Sequence, residues 1–311
     1  MIAAALGGRG AHKHRGRSAF SDQQLQSAMD SLLALGRADC RSLNSSISGR
    51  RLHYLESGEG RPLLLLHGAG GGAANWYRLF APLARRWRVL APDLPGFGFS
   101  DPIEPSAPLG EQVAQILAHW LRSLDVTQAQ VVGTSFGGLA ALRLTQFFDV
   151  KKIVVTDSVG ITRRLPTMLR LATLPLVARL VVSPTRGGTR AMLRHALTAT
   201  QLPAEHEHAL VEYLYASAKR SDVRTMTRAF VRFAGLRGQR DVLETEQLRA
   251  IADRLLVVWG ERDRFLPVAD AQRATALAGC AEVRMIPRAG HSPNWENPEA
   301  LLTVITEFLE S

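Results

Sequence analysis

Cysteine is nearly absent from this 311-residue chain: only Cys40 and Cys280 occur, far apart and without the close spacing of metal ligands. A disulfide framework or a zinc site therefore has no support, and two reduced thiols are expected. Long apolar runs are missing too. The stretch from Ala172 to Val182 is broken by Pro175 and Arg179, and a membrane-spanning helix needs roughly 20 apolar residues, so no span is expected. The opening MIAAALGGRGAHKHRGR puts its apolar residues before its basic ones, the reverse of a secretory signal, which points to a cytoplasmic protein. Aromatic residues are sparse at 6% and do not interleave with the basic ones, which argues against nucleic acid as a partner.

Positive charge, by contrast, is in excess. The net charge is +10, and the stretch from Ser158 to Ala250 holds 15 Lys plus Arg against 7 Asp plus Glu. These charges recur at helical intervals, as on a solvated helical surface; weak attraction to an anionic substrate or membrane surface is the other reading.

Hydrophobic patterning divides the chain. Residues 1–20 are rich in Gly, Arg and His without periodicity and are expected to be disordered. Leu25, Ala28, Met29, Leu32 and Leu33 then recur at helical spacing over 21–36. Residues 43–48 and 51–56 read as a hairpin turning at Ser48 and Gly49. Short apolar runs follow at 63–66, 89–91, 131–132, 153–155, 255–259 and 283–286, as in strands buried on both faces of a parallel sheet. Helical segments alternate with them at 75–86, 109–124, 135–147, 268–278 and 298–310. The expected fold is α/β, a mostly parallel sheet flanked by helices. Residues 160–249 contain no convincing strand and read as a helical cap inserted into a core made of 21–159 and 250–311.

The strongest local motif is Gly133-Thr134-Ser135-Phe136-Gly137, directly after an apolar strand and directly before a helical run. A serine on so sharp a strand-to-helix turn needs small neighbours two residues either side, and its hydroxyl stands proud of the helix N-terminus. Upstream, residues 63–66 run into His67-Gly68-Ala69-Gly70-Gly71-Gly72. These glycines do not form a phosphate loop, since neither GK[ST] nor a helix-opening GxGxxG is present.

Together these motifs resemble the α/β-hydrolase superfamily from about residue 50 to residue 310, most weakly across 160–249. The resemblance implies that the Ala69 and Phe136 amides form the oxyanion hole, with Gly70 as the alternative donor, and that His67 holds the loop. The run from Ala91 to Asp101 resembles the family's D-x-P-G-x-G-x-S loop, in which Asp93 and Asp101 are expected to cap turns. Of nine histidines, only His291 follows a late strand in a glycine-led loop. Asp263 occupies the family's position for the acid, after the strand LLVVWG. Asp157 is the alternative acid, and Glu261 is a further carboxylate nearby in sequence.

Ser135, His291 and Asp263 thus read as nucleophile, base and orienting acid, in that chain order except that the acid precedes the base. The reaction this implies is hydrolysis of a small carboxylic ester through an acyl-enzyme, needing no metal or organic cofactor. Ring-fission carbon–carbon hydrolases are also similar, but several carry Trp after the histidine where this chain has Ser292. Arg163, Arg164 or Arg190 could hold the carboxylate of their substrates. An acyltransferase, or a silent receptor or scaffold of the same fold, completes the alternatives.

Overall fold

The computed structural model describes residues 19–104, 108–165, 170, 184–220, 233–235, 237–279 and 283–311. Nearly all of the expected disordered segment, and Cys280, lie outside them. The strands are β1 (Arg41–Ile47), β2 (Arg50–Ser57), β3 (Pro62–Leu66), β4 (Arg88–Pro92), β5 (Gln128–Thr134), β6 (Asp149–Thr156), β7 (Ala234–Gly235), β8 (Gly238–Gln239), β9 (Leu255–Gly260) and β10 (Val283–Ile286). All but β7 and β8 form one sheet in the order β1-β2-β4-β3-β5-β6-β9-β10. Strand β2 runs antiparallel to both neighbours, and the pairings from β4 to β10 are parallel.

The alternation of each strand supplies both faces of the core. Leu64, Leu66, Leu90, Val131, Ile153, Val155 and Val257 point to one side, where they meet α3 (Leu109–Ser123) and α4 (Phe136–Leu144). Leu63, Leu65, Val89, Ala91, Val132, Val154 and Val258 point to the other, toward α1 (Ala19–Leu35), α2 (Tyr77–Ala84) and α10 (Pro298–Glu310). With both faces covered, Leu63 to Leu66 are wholly inaccessible, which explains their unbroken apolar run. The β1–β2 hairpin turns where expected, with Ser48 and Gly49 at φ +51° and +76°, as a two-residue type I′ turn requires.

Between β6 and β9 the described residues include α5 (Arg186–Met192), α6 (Ala204–Arg220) and α7 (Thr245–Arg249). The expectation of no strand here is corrected by β7 and β8, a two-residue antiparallel pair turning on Gly238 at φ +119°. Two-residue strands carry no periodicity to detect. The remaining helices, α8 (Val268–Ala278) and α9 (Pro293–Glu296), follow β9 and β10. No described helix is long and apolar enough to cross a membrane.

Candidate active site

Strand order reverses at β3: the chain leaves it for β4 on one side, and β5 later takes the other. Loops leaving β3 and β5 therefore diverge and open a crevice at the carboxyl ends, where α/β sheets bind ligands. His67 to Gly72 follow β3, Ser135 follows β5, Asp157 follows β6, Asp263 follows β9 and His291 follows β10. The serine, the histidine, both candidate acids and the glycine-rich loop thus lie at the carboxyl ends of five strands that are neighbours in the sheet.

Ser135 sits at φ +52° and ψ −116°, a strained conformation for a side-chain-bearing residue. Its N–H donates to the Thr156 carbonyl at 3.0 Å, and its carbonyl accepts from Gly138 N at 3.1 Å. A Cβ on Gly133 would collide with the Gly137 carbonyl, and one on Gly137 with the Leu66 carbonyl. Ser135 is the N-cap of α4, so the helix begins one residue later than its sequence pattern suggests. As first residue of the helix, Phe136 has an amide without an intrahelical acceptor. Gly68 lies against the serine: a Cβ there would stand 3.2 Å from Ser135 Cβ and 3.8 Å from its Oγ. The next amide, that of Ala69, donates to no acceptor among the described residues. Gly70 follows at φ +82°, farther round the turn.

His67 is fully buried, with Nδ1–H donating to the Gly68 carbonyl at 2.8 Å and Nε2 accepting from Leu94 N at 2.9 Å. Burial pushes its pKa down, against the pull of Asp93, so the ring is neutral and both nitrogens are engaged in holding the loop. Asp93 accepts from Ala73 N, Phe99 N and His53 Nδ1, each at 2.7 Å. Burial disfavours its charge, but His53 and these donors hold its pKa below the usual carboxylate value. Asp101 accepts from Arg51 N at 2.9 Å. Asp93 thus braces its own loop through Phe99 and ties it to residues 53 and 73, while Asp101 fastens the loop to β2 and does not cap a turn by this bond.

Asp263 accepts from Phe265 N at 2.7 Å and Leu266 N at 2.9 Å on Oδ1, and from His291 Nδ1 at 2.9 Å on Oδ2. A carboxylate on Nδ1 fixes the proton there and leaves Nε2 as the basic nitrogen. The Phe265 ring packs on His291 with centroids 4.7 Å apart. His291 is joined to Asp263 but makes no hydrogen bond to Ser135 Oγ, a contact that commonly tightens only with substrate bound. Asp157 turns out to be adjacent: its Oδ1 accepts from Gly260 N at 2.8 Å, not from the imidazole. Glu261 is exposed and accepts from Arg288 N at 2.9 Å. One donor atom each from Asp157, Asp263 and His291 lie within 4.8 Å of one another, the geometry of a candidate cation site among the described residues. Both Asp263 oxygens are already taken by three donors, so the set serves hydrogen bonding first.

Helix α6 lies over the crevice loops. Ser217 Oγ donates to the Gly71 carbonyl at 3.2 Å and Arg220 Nη1 to that of Gly98 at 2.6 Å. Phe233 meets Phe136 edge-on at 6.2 Å. Glu296 was not identified from sequence: its Oε1 accepts from Ala199 N, Thr200 N and Thr200 Oγ1, and its Oε2 from Gly290 N. No local pattern could reveal it, because two of its partner residues lie almost a hundred positions away. Arg190 pairs with Glu207 at 3.4 Å, and Arg163 with Glu244 at 3.8 Å on the surface.

A family described as the alpha/beta hydrolase family matches residues 63–304. A 2-hydroxy-6-oxo-6-phenylhexa-2,4-dienoate hydrolase of Burkholderia cepacia is 27% identical over 273 residues, covering 85% of this chain and 92% of its own. A 2-hydroxy-6-oxononadienedioate/2-hydroxy-6-oxononatrienedioate hydrolase of Comamonas testosteroni is similar to the same extent. Among solved structures, a bacterial membrane phospholipase A superposes with a TM-score of 0.74 at 26% identity, covering 94% of this chain and 92% of that one. A Bacillus subtilis carboxylesterase, 21% identical, shares the fold with a TM-score of 0.73 over 93% of this chain and 98% of its own.

Proposed function

Because the chain belongs to the alpha/beta hydrolase family, we propose that it is a serine hydrolase cleaving a small carboxylic ester through an acyl-enzyme. The observation that carries this reading is a serine held at positive φ on a strand-to-helix turn, in the same crevice as a histidine hydrogen-bonded to a buried aspartate. His291 Nε2 takes the Ser135 proton as Oγ attacks the carbonyl carbon. The oxygen becomes an oxyanion facing the Ala69 and Phe136 amides, which need no reorganisation to receive it. Collapse expels the alcohol, which takes the proton from His291. Water, deprotonated by His291, then attacks the acyl-enzyme and releases the acid and Ser135. Residues 160–249 act as the cap that selects the acyl and alcohol groups, and the site uses no cofactor.

Carbon–carbon bond hydrolysis is the second reading, favoured by the names of the 27% identical relatives. The pairing of Arg190 with Glu207 weighs against that arginine as the carboxylate site, which leaves Arg163 and Arg164 as the candidates for this reading. Purified protein is expected to turn over p-nitrophenyl acetate and butyrate and to leave a vinylogous 1,5-diketone intact; the converse result would assign the second reading. Ser135→Ala is expected to abolish fluorophosphonate labelling and to lower kcat about 10,000-fold or more. Equal labelling of variant and wild type would sink the nucleophile assignment; labelling of neither, with no ester turnover, would favour a scaffold.

A further inference from the structure

The geometry points to Asp157 as a positioning residue that stands protonated beside Asp263 and donates its hydrogen bond to that carboxylate. The inference rests on the reading of Ser135, His291 and Asp263 as the catalytic set.

Asp157 is wholly inaccessible, and only one of its oxygens has a donor, Gly260 N. Its Oδ2 is buried with no hydrogen-bond partner. Asp263, whose side chain is equally inaccessible, accepts three donors across its two oxygens. Two carboxylates held this close, out of water, cannot both be charged, so one keeps a proton. It resides on the group with fewer donors, because each N–H aimed at a carboxylate favours its charged form. That group is Asp157, and the proton gives its orphaned oxygen a hydrogen to donate.

The groups facing Asp157 agree. Burial raises its pKa well above the ordinary value, the charge of Asp263 adds to this, and Glu296 on α9 acts in the same direction. His291 is the basic group in the cluster, and its Nδ1 already donates to Asp263. The pair thus carries a single negative charge, matched to the single positive charge that forms on His291 when it takes the Ser135 proton. A hydrogen bond from Asp157 holds the Asp263 carboxylate in place, with Oδ2 on the imidazole ring.

Linkage gives a test that does not depend on turnover. Folded Asp157 keeps a proton that the unfolded chain releases near pH 3.9, about the ordinary aspartate value. Wild-type stability therefore declines, through this group, as pH rises from there toward the folded pKa. Asp157→Asn preserves the shape and the donor but removes the titration. The Tm of Asp157→Asn minus that of wild type is expected to grow as pH rises above the ordinary aspartate range and to level off once the folded pKa is passed. Infrared spectra of wild type and of Ser135→Ala at neutral pH are expected to show a protonated-carboxyl band that Asp157→Asn lacks. A pH-independent Tm difference, or no such band, overturns the proposal whatever Ser135→Ala does to turnover.

Kinetics read the coupling. Asp157→Ala is expected to lower kcat/KM about tenfold or more, and Asp157→Asn, whose amide still donates, to recover most of that loss. In Asp263→Asn the remaining carboxylate can ionise and partly serve the imidazole, so the double variant carrying Asp157→Asn is expected to fall about tenfold or more below Asp263→Asn. Losses that simply multiply across the two single variants would show that Asp157 and Asp263 act independently and would overturn the coupling. If Ser135→Ala is fully active while the infrared band is present, the functional reading fails and the proton assignment stands.

Discussion

Among the described residues, Ser42 completes a hydrogen-bonded Ser–His–Asp chain of its own, whereas Ser135 makes no hydrogen bond to the His291–Asp263 pair. Ser42 Oγ lies 2.8 Å from His53 Nε2, and His53 Nδ1 lies 2.7 Å from Asp93 Oδ2. Only Ser135 combines strained dihedrals, a helix N-terminus and two adjacent amides; Ser42 lies inside the edge strand β1, in ordinary extended backbone. Stabilisation of the oxyanion, more than the relay itself, separates a reactive serine from a structural one. Ser42→Ala is accordingly expected to leave ester turnover within about twofold and to cost about 1 kcal/mol of stability for one hydrogen bond, measured by rate assay and urea unfolding. Residue types and spacing made Ser135 and His291 legible, because the glycines at 133, 137 and 290 mark close backbone approaches. The acid was harder to read: Asp157 and Asp263 end adjacent strands and lie in one cluster with His291, and only the Nδ1 hydrogen bond distinguishes them.

At the scale of elements, the insertion is tied to the histidine loop by one carboxylate. Glu296 accepts three donors from residues 199 and 200 and a fourth from Gly290, the residue before His291. Residues 199 and 200 and the loop leading into His291 therefore share a support. Glu296→Ala is expected to speed amide hydrogen exchange in residues 193–200 and 289–292 while leaving β3 and β5 protected, and to lower stability by about 1–3 kcal/mol. Strands were legible where burial on both faces forced a continuous apolar run. Strand β5 extends beyond its visible Val131–Val132 because Gln128 and Ala129 pair with β6 by backbone alone, which no side-chain pattern reports.

Across the whole molecule, the end of the insertion is fastened to α4, the helix that Ser135 caps. Arg143 on α4 sends Nη2 to Asp241 Oδ1 at 2.8 Å and to the Val242 carbonyl at 2.8 Å, with both side chains almost fully buried. Gly110 N donates to the other Asp241 oxygen. Arg143→Met strands a buried carboxylate and is expected to destabilise the fold by about 3–5 kcal/mol; adding Asp241→Leu should recover much of that loss, by thermal melting. Charge counting foresaw a basic insertion but not this contact, since a buried pair and a solvated one look alike in sequence.

On the proposed assignment of nucleophile, base, acid and cap, the insertion also separates the catalytic residues in time. A growing chain finishes the serine turn and its oxyanion loop before residues 160–249 are made, while the acid and the base follow only with β9 and β10. No partial chain ending within the insertion possesses a base for its serine, so reactivity arrives only once the segment that governs access has been synthesised.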